Sequence, residues 1–239
     1  MQKYERVILK LSGEALANVE ERLILNNQKL QTVARAIKDL WEEDVEIGIV
    51  VGAGNIWRGA MANEIGIDPS TADYMGMLGT IINSLALQSA LENMDVPTRV
   101  MSSIEVNAVC EPYIKRKAIS HFEKKRVVIF AGGTGNPFFT TDSNAALKAL
   151  DVNANVILMA KNGVKGVYDK DPRANKDAKL IKELTYNDYI KLGLRAMDQT
   201  AVSLLADSEI DIVVFSMDDP HNISKAASGE NVGTRITKG

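Results

Sequence analysis

The sequence predicts an α/β fold in which a mainly parallel sheet is covered by helices on both faces. Short β-branched runs alternate with longer helical patterns from the N-terminus to about residue 160. This alternation is typical of repeated β-α-β units, which form parallel sheets. In addition, three of the strands end in glycine-rich loops that carry Lys, Arg or Thr. Ligands bind at the carboxyl ends of the strands in such sheets, so these loops predict a binding site.

Each strand is predicted from a short apolar run rich in β-branched residues. The predicted strands are residues 6–11, 45–51, 97–101, 126–131, 155–160 and 210–215, with an edge strand at 232–237. Glycines in residues 161–168 indicate a hairpin, and the polar residues 169–176 that follow it predict a mobile flap.

Helices are predicted where apolar residues recur every three or four positions. In the first helix Leu30, Val33, Ile37 and Leu40 follow this spacing, and Trp41 is expected in the core. The predicted helices are residues 28–43, 71–94, 112–124, 142–150, 186–192 and 197–208, with Thr185 as a cap of the fifth.

Composition narrows the classes of function. The chain has 239 residues, 46% of them apolar, and a net charge of -3 without a basic cluster, so neither disorder nor a nucleic-acid surface is expected. One cysteine and two histidines argue against a disulfide and against a Cys/His metal site. With no leader and no apolar run of about 18 residues, we expect a cytoplasmic protein without a membrane segment. The simplest organisation is one domain with two lobes, approximately residues 1–154 and 155–239, around a cleft.

The loops at the strand ends predict a site for several phosphate groups. The string Gly132-Gly-Thr-Gly-Asn-Pro-Phe-Phe-Thr-Thr-Asp142 leads from a strand into a helix, where glycines allow close backbone approach and N–H groups face an anion. Lys10-Leu-Ser-Gly13 and the loop from Gly52 to Gly59 end two earlier strands. None of them matches a Walker A or dinucleotide-binding motif, because the Gly-Lys-Ser/Thr sequence and the glycine spacing are absent.

Each candidate side chain also has an ordinary explanation. Lys10 either binds an anion inside the sheet or lies on an edge strand with its amine in water. Arg58 is either a site residue or a surface turn residue. Asp73 and Asp142 are either first-turn helix acids or functional carboxylates, in which case Asp142 would orient a catalytic lysine. Phe138-Phe139 either pack in the core or form a floor for a flat ring.

Several motifs, taken together, resemble the bacterial UMP kinases of the amino acid kinase family. They are Lys10-Leu-Ser-Gly-Glu-Ala15, Gly52-x-Gly-Asn-x-x-Arg-Gly59, Ala72-Asp-Tyr-Met-Gly-Met-Leu78, Thr134-Gly-Asn-Pro-Phe-Phe-Thr-Thr-Asp142 and Gly166-Val-Tyr-x-x-Asp-Pro172. The match spans almost the whole chain in the expected order, and the fourth string is the most specific. The family has a three-layer α/β/α sandwich unrelated to P-loop kinases, which explains the missing Walker A motif.

The resemblance implies transfer of a phosphoryl group from ATP to UMP, giving ADP and UDP, in pyrimidine nucleotide biosynthesis. Residues 1–154 would form the UMP side and residues 155–239 the ATP side. The implied catalytic residues are Lys10, Asp142 and Arg58. The implied ATP-binding residues are Lys10, Leu11, Ser12, Gly13, Gly54, Arg58, Asn162, Tyr168 and Asp171. The implied UMP-binding residues are Ala53, Asp73, Thr134, Gly135, Asn136, Pro137, Phe138, Phe139, Thr140 and Thr141.

A second catalytic lysine is implied as well, either Lys161 or Lys165, because Met159 occupies a position where some relatives have lysine. Mg²⁺ would be bound mainly through ATP, with no protein ligand. The relatives are homohexamers that UTP inhibits allosterically, and both properties are expected here. Residues 17–25 lack the Gly-Phe-Gly-Ile-like string of many relatives, so the loop is expected to differ there.

The chemistry of the substrate agrees with this assignment. The phosphate of UMP is mostly a dianion at pH 7, so it needs no general base. Two other functions stay open from the sequence. One is a kinase that phosphorylates a carboxylate, such as acetylglutamate or aspartate; the other is a nucleotide-binding regulator or storage protein without catalysis.

Overall fold

A computed structural model describes residues 4–18 and 20–239 of the chain. Its strands are β1 (Arg6–Leu11), β2 (Glu46–Val51), β3 (Thr98–Ser102), β4 (Glu111–Pro112), β5 (Val127–Ala131), β6 (Val156–Lys161), β7 (Val167–Tyr168), β8 (Leu180–Ile181), β9 (Glu183–Thr185), β10 (Asp211–Ser216) and β11 (Gly233–Thr237). Its α-helices are α1 (Asn27–Glu42), α2 (Ala60–Glu64), α3 (Pro69–Glu92), α4 (Lys115–Glu123), α5 (Thr141–Asp151), α6 (Tyr186–Lys191), α7 (Gln199–Leu205) and α8 (Asn222–Ala227).

Nine of these strands form one sheet in the order β4-β3-β5-β2-β1-β6-β10-β11-β9. All neighbouring strands pair in parallel except β10 and β11, which are antiparallel. The strands β2, β3 and β5, which follow β1 in the chain, lie on one side of β1 in the sheet. The next strand of this sheet, β6, lies on the other side of β1. This reversal of strand order beside β1 creates the crevice in which α/β sheets bind ligands.

The core consists of two apolar layers, one on each face of the sheet. Leu9 and Leu11 of β1 pack with α1, α3 and α8, whereas Ile8 packs with α4, α5, α6 and α7 on the opposite face. Successive side chains of a strand point to opposite faces, so β1 contributes to both layers. The predicted three-layer sandwich is therefore present.

Two sequence expectations need correction or refinement. The strand at 233–237 is not an edge strand, because β11 lies between β10 and β9. The edge strand β9 is only three residues long and carries two polar side chains, so it has no clear apolar pattern. Trp41 lies at the border of the core, where its indole N–H donates to the carbonyl oxygen of Lys125 at 2.9 Å.

Two loop predictions can be compared with the structure. The hairpin expected in residues 161–168 is formed instead by β7 and β8, which pair as an antiparallel ribbon around the polar residues 169–176. In the segment 17–25, Asn18 and Leu23 form an antiparallel bridge, and Val19 lies outside the described residues. Among the residues with described structure, no helix has the length and apolar character needed to cross a membrane.

Candidate active site

The centre of the site is an ion pair between Lys10 and Asp142. Lys10 lies in β1, between β2 and β6, so it is in the middle of the sheet and the edge-strand interpretation is wrong. Its Nζ lies 2.8 Å from Asp142 Oδ1, and the two side chains are only 12% and 13% exposed. A lysine at this depth needs an anionic partner, and Asp142 provides it.

Helix capping positions Asp142. The hydroxyl oxygen of Thr140 caps α5 by accepting hydrogen bonds from the N–H groups of Asp142 and Ser143, both at 3.1 Å. Asp198, the cap of α7, accepts hydrogen bonds from the hydroxyls of Thr140 and Ser143, the latter at 3.2 Å. These bonds tie the N-termini of α5 and α7 together beside the ion pair.

The charges around Asp142 determine its protonation. Burial alone would raise the pKa of Asp142, but the positive charges of Lys10 and Lys161, with hydrogen bonds from Lys10 and the backbone of Asp198, lower it below its usual value. Burial lowers the pKa of Lys161, whereas the carboxylate of Asp142 opposes that shift and Lys10 adds to it. Asp142 is therefore an ionised carboxylate between two lysines.

Of the two candidates for the second lysine, Lys161 is the one beside the ion pair. It ends β6, the neighbour of β1, and interacts electrostatically with Asp142 and Lys10. Lys165 is exposed and lies beyond the strand end. Met159, which faces Lys10 in the pairing of β1 with β6, is fully buried in the core.

The first two glycine loops meet at Gly13. A Cβ atom there would overlap the side chain of Asn55 and would lie 2.5 Å from the carbonyl oxygen of Gly52, so only glycine fits. Ser12 caps the short 3-10 helix at 13–16. Arg58 is exposed, pairs with Glu14 and donates to the carbonyl oxygen of Gly54 at 3.1 Å.

A cavity of about 320 Å³ opens between the strand ends and α3. Its lining includes these predicted UMP-binding residues: Ala53, Asp73, Thr134, Asn136, Phe139, Thr140 and Thr141. The other predicted residues Gly135, Pro137 and Phe138 are absent from its lining, whereas Gly54, assigned by resemblance to ATP, borders it. Because Phe138 and Phe139 are exposed, the interpretation that they pack in the core is wrong.

A second cavity, of about 550 Å³, lies beside the β7–β8 ribbon. Tyr168, Asp171 and Lys161 line it, together with residues 192–196. Asn162 is absent from its lining. Since Lys161 borders this cavity and Thr141 borders the first, the lysine and aspartate cluster lies where both cavities can be reached.

Comparison with known proteins agrees with this geometry. The model of the amino acid kinase family matches residues 5–216.

The chain belongs to the amino acid kinase family.

Three solved structures resemble this amino acid kinase. The UMP kinase from Bacillus anthracis is 43% identical, with a TM-score of 0.95 over 99% of this chain and 97% of that chain. The UMP kinase from Ureaplasma parvum is 38% identical, with a TM-score of 0.93 over 99% of this chain and 100% of that one. The uridylate kinase from Archaeoglobus fulgidus is 29% identical, with a TM-score of 0.76 over the same shares. The predicted amino acid kinase fold is thus confirmed.

Three residues at the site of this amino acid kinase were not assigned from the sequence. Asp198 caps α7 and bonds to the N-terminus of α5, and an acid directly before an amphipathic stretch is a recognisable N-cap signal. Trp57 lines the first cavity and donates to the carbonyl oxygen of Ala72 at 2.9 Å. Asn144 also lines it, one turn into α5, and no local pattern distinguishes it from a core position.

Proposed function

We propose that this protein is a UMP kinase that transfers the γ-phosphoryl group of ATP to UMP and releases ADP and UDP. The observation that carries the proposal is the cluster of Lys10, Asp142 and Lys161 in a chain 43% identical to a UMP kinase. Thr141, next to Asp142, lines the first cavity, and Lys161 lines the second. Two anionic substrates that react with one another need positive charge between them, and this cluster lies there.

In the proposed complex, UMP occupies the first cavity. The proposed UMP contacts are the loop at 134–141, which leads into α5, together with Ala53, and Asp73 contacts the nucleoside. Of that loop, Thr134, Asn136, Phe139, Thr140 and Thr141 line the cavity. ATP occupies the second cavity, where Tyr168 offers a ring for stacking and Asp171 a polar partner. Residues 1–154 then form the UMP side and residues 155–239 the ATP side. The other proposed ATP contacts, made at the phosphates or the ribose, are Leu11, Ser12, Gly13, Gly54, Arg58 and Asn162.

The proposed mechanism consists of positioning and charge neutralisation. UMP attacks with a phosphate oxygen that is already ionised at pH 7, so no side chain has to remove a proton. Lys10 and Lys161 neutralise the charge that spreads over the transferring group. Asp142 pairs with Lys10 and opposes the lowering of the pKa of Lys161. Arg58 is proposed to close over the phosphates from the loop that begins at Gly52.

Mg²⁺ is proposed to arrive with ATP. In the described part of the chain, no group of three or more His, Cys, Asp or Glu side chains is arranged to hold a metal. Mg²⁺ usually keeps several waters and binds substrate phosphates, so it needs few ligands from the protein. When bound, the ion neutralises phosphate charge.

We also propose that the protein is a homohexamer of the cytoplasm that UTP inhibits allosterically. The exposed face of α3 supports self-association, because Tyr74, Leu78 and Ile82 recur along it with 43 to 47% exposure. Apolar residues at this spacing form a continuous stripe that a second copy can cover. Sedimentation as a monomer would refute the assembly, and unchanged rates at millimolar UTP would refute the inhibition.

The test of the activity is ADP release from ATP·Mg²⁺ with UMP, CMP, dUMP, acetylglutamate and aspartate as separate acceptors. We expect turnover with UMP. Turnover only with acetylglutamate or aspartate would replace the proposal with a carboxylate kinase. Nucleotide binding without turnover of any acceptor would replace it with a binding or storage protein.

A further inference from the structure

Asn144 is a buried polar residue on the wall of the first cavity. It lies in α5, one turn after Thr141, and is 1% exposed. Its carboxamide oxygen Oδ1 has no hydrogen-bond partner among residues 4–18 and 20–239. Buried polar atoms in folded proteins are almost always hydrogen-bonded, so an unpaired acceptor at a cavity wall points to a ligand.

Other polar side chains of the same cavity already have protein partners. The hydroxyl of Thr80 donates to the carbonyl oxygen of Met77 at 2.7 Å and accepts from the N–H of Gly132 at 2.9 Å. The carboxylate of Asp73 accepts from the N–H of Phe138 at 2.7 Å. The oxygen of Asn144 differs in this respect from the polar atoms of Thr80 and Asp73.

A second buried asparagine shows what a structural role looks like in this fold. Asn83 is fully buried, and its Nδ2 donates to the carbonyl oxygen of Gly52 at 2.7 Å and to Asn55 Oδ1 at 2.8 Å. Its Oδ1 accepts from Asn55 Nδ2 at 3.0 Å. Asn83 thus ties α3 to the loop from Gly52 to Gly59, whereas Asn144 has an oxygen with no protein donor among the described residues.

We propose that Asn144 is a further binding residue of the acceptor site, and that its Oδ1 accepts a hydrogen bond from the nucleoside part of the acceptor nucleotide. This inference rests on the proposed function. The chemistry of the nucleotide decides which part of it can bind the acceptor oxygen of Asn144. A phosphate dianion offers acceptors only, whereas uridine offers donors at the ribose hydroxyls and at the imide N3–H.

The two kinds of donor make different predictions about specificity. In cytosine the ring nitrogen N3 is an acceptor, so a bond to N3–H favours UMP over CMP. A bond to the 2′-hydroxyl favours UMP over dUMP. A site that hydrogen-bonds a substrate group rejects analogues without that group, because its own polar atom is then unpaired.

The experiment compares Asn144→Ala with Asn83→Ala and the unmodified protein. We measure KM for UMP, CMP, dUMP and ATP, the Kd of UMP by calorimetry, and the melting temperature without ligand. For Asn144→Ala we expect KM and Kd for UMP to rise about tenfold, the loss of one hydrogen bond, with KM for ATP unchanged. If Oδ1 binds the imide N3–H, the ratio of KM for CMP to KM for UMP is expected to fall in Asn144→Ala. If Oδ1 binds the 2′-hydroxyl, the ratio of KM for dUMP to KM for UMP is expected to fall instead.

Stability separates a binding role from a structural one. The melting temperature of Asn144→Ala is expected to stay within about 2 °C, since no protein hydrogen bond is lost, while Asn83→Ala is expected to melt clearly lower. Unchanged affinity for UMP in Asn144→Ala would overturn the inference, as would an equal rise in KM for ATP. If the unmodified protein does not phosphorylate UMP, the proposed function fails instead; the calorimetric Kd then still tests Asn144 directly.

Discussion

The carboxylate of Asp73 accepts a hydrogen bond from the backbone N–H of Phe138 at 2.7 Å. This bond joins the first turns of α3 to the loop at 132–140, which lies far away in sequence. Phe138 adopts a left-handed conformation with φ of 69°, which non-glycine residues rarely take. Asp73 therefore helps to hold the loop in the shape that lines the first cavity, and it is not the cap of α3, which is Asp68.

Asp73→Ala is expected to raise KM for UMP about tenfold, because the variant loses both the loop anchor and the proposed contact to the nucleoside. KM for ATP is expected to stay unchanged, since the second cavity is formed by other residues. Steady-state kinetics with each substrate varied separately checks this. An equal rise in both constants would contradict the assignment of Asp73 to the UMP side.

Lys10→Met is expected to lower kcat by roughly 10²- to 10³-fold, the usual cost of removing one group that stabilises transition-state charge. KM for UMP is expected to change by less than about threefold, because the amine acts mainly in the transition state. Lys165→Met is the matched control, since this exposed lysine follows β6, the strand that pairs with β1. Normal kcat in Lys10→Met, or an equal loss in both variants, would rule out the proposed mechanism.

Asp142→Asn is expected to move the alkaline limb of the kcat profile to lower pH. Burial lowers the pKa of Lys161, and the carboxylate of Asp142 keeps that pKa from falling further. Without the carboxylate, Lys161 loses its proton at lower pH, so the charged form is lost earlier as the pH rises. Single-turnover rates between pH 6 and pH 10 measure the shift. An alkaline limb that stays at the same pH in Asp142→Asn would show that Lys161 takes no part in transfer.

Gly13→Ala is expected to lower both the melting temperature and kcat/KM, because its Cβ would overlap Asn55 and the backbone of Gly52. The loops at the ends of β1 and β2 would have to separate. Gly59→Ala serves as the control for stability, since among the described residues no atom outside its immediate chain neighbours lies within 4 Å of the position of its Cβ. Thermal melting compares the two variants. Equal melting temperatures would show that the loops adapt without cost.

Lys148 gives a prediction about stability and pH. This buried lysine lies on α5 with its Nζ 3.3 Å from the centre of the Tyr113 ring. Burial lowers its pKa from 10.5 to about 8, although Asp151 opposes the shift. Below about pH 8 the amine is charged in both the folded and the unfolded state, so the cost of burying the charge is fully present. That cost is relieved as the pH rises towards 10.5, where only the unfolded chain still binds the proton.

Lys148→Met is therefore expected to raise the free energy of unfolding at pH 7 by about 1–3 kcal/mol and to flatten its rise at alkaline pH. Urea denaturation at pH 7, 8.5 and 9.5 measures the difference. Lys115→Met is the control, because Lys115 also pairs with Asp151 but is 47% exposed. Parallel pH curves for Lys148→Met and the unmodified protein would show that the amine is solvated.

Local pattern was sufficient for the main elements. The apolar run at 6–11 is β1 without adjustment, and the capping role of Thr185 is confirmed by its bond from the N–H of Asp188 at 3.0 Å. Elements of two or three residues, such as β4 and β9, are not predicted, because a segment that short is too short to show a periodic pattern. The wrong edge assignment of β11 has the same origin, since its neighbour β9 had not been recognised.

The sequence by itself determined the longer strands, most of the α-helices, the glycine loops at the strand ends and the candidacy of Lys10 and Asp142, because backbone freedom and side-chain periodicity are local properties. Only the tertiary structure decided which of these groups meet. It placed Lys10 against Asp142, Lys161 beside both, and Asp198 at the start of α5. The physical reason is strand order: β6 lies next to β1 although more than half of the chain separates them, and no local window contains that pairing.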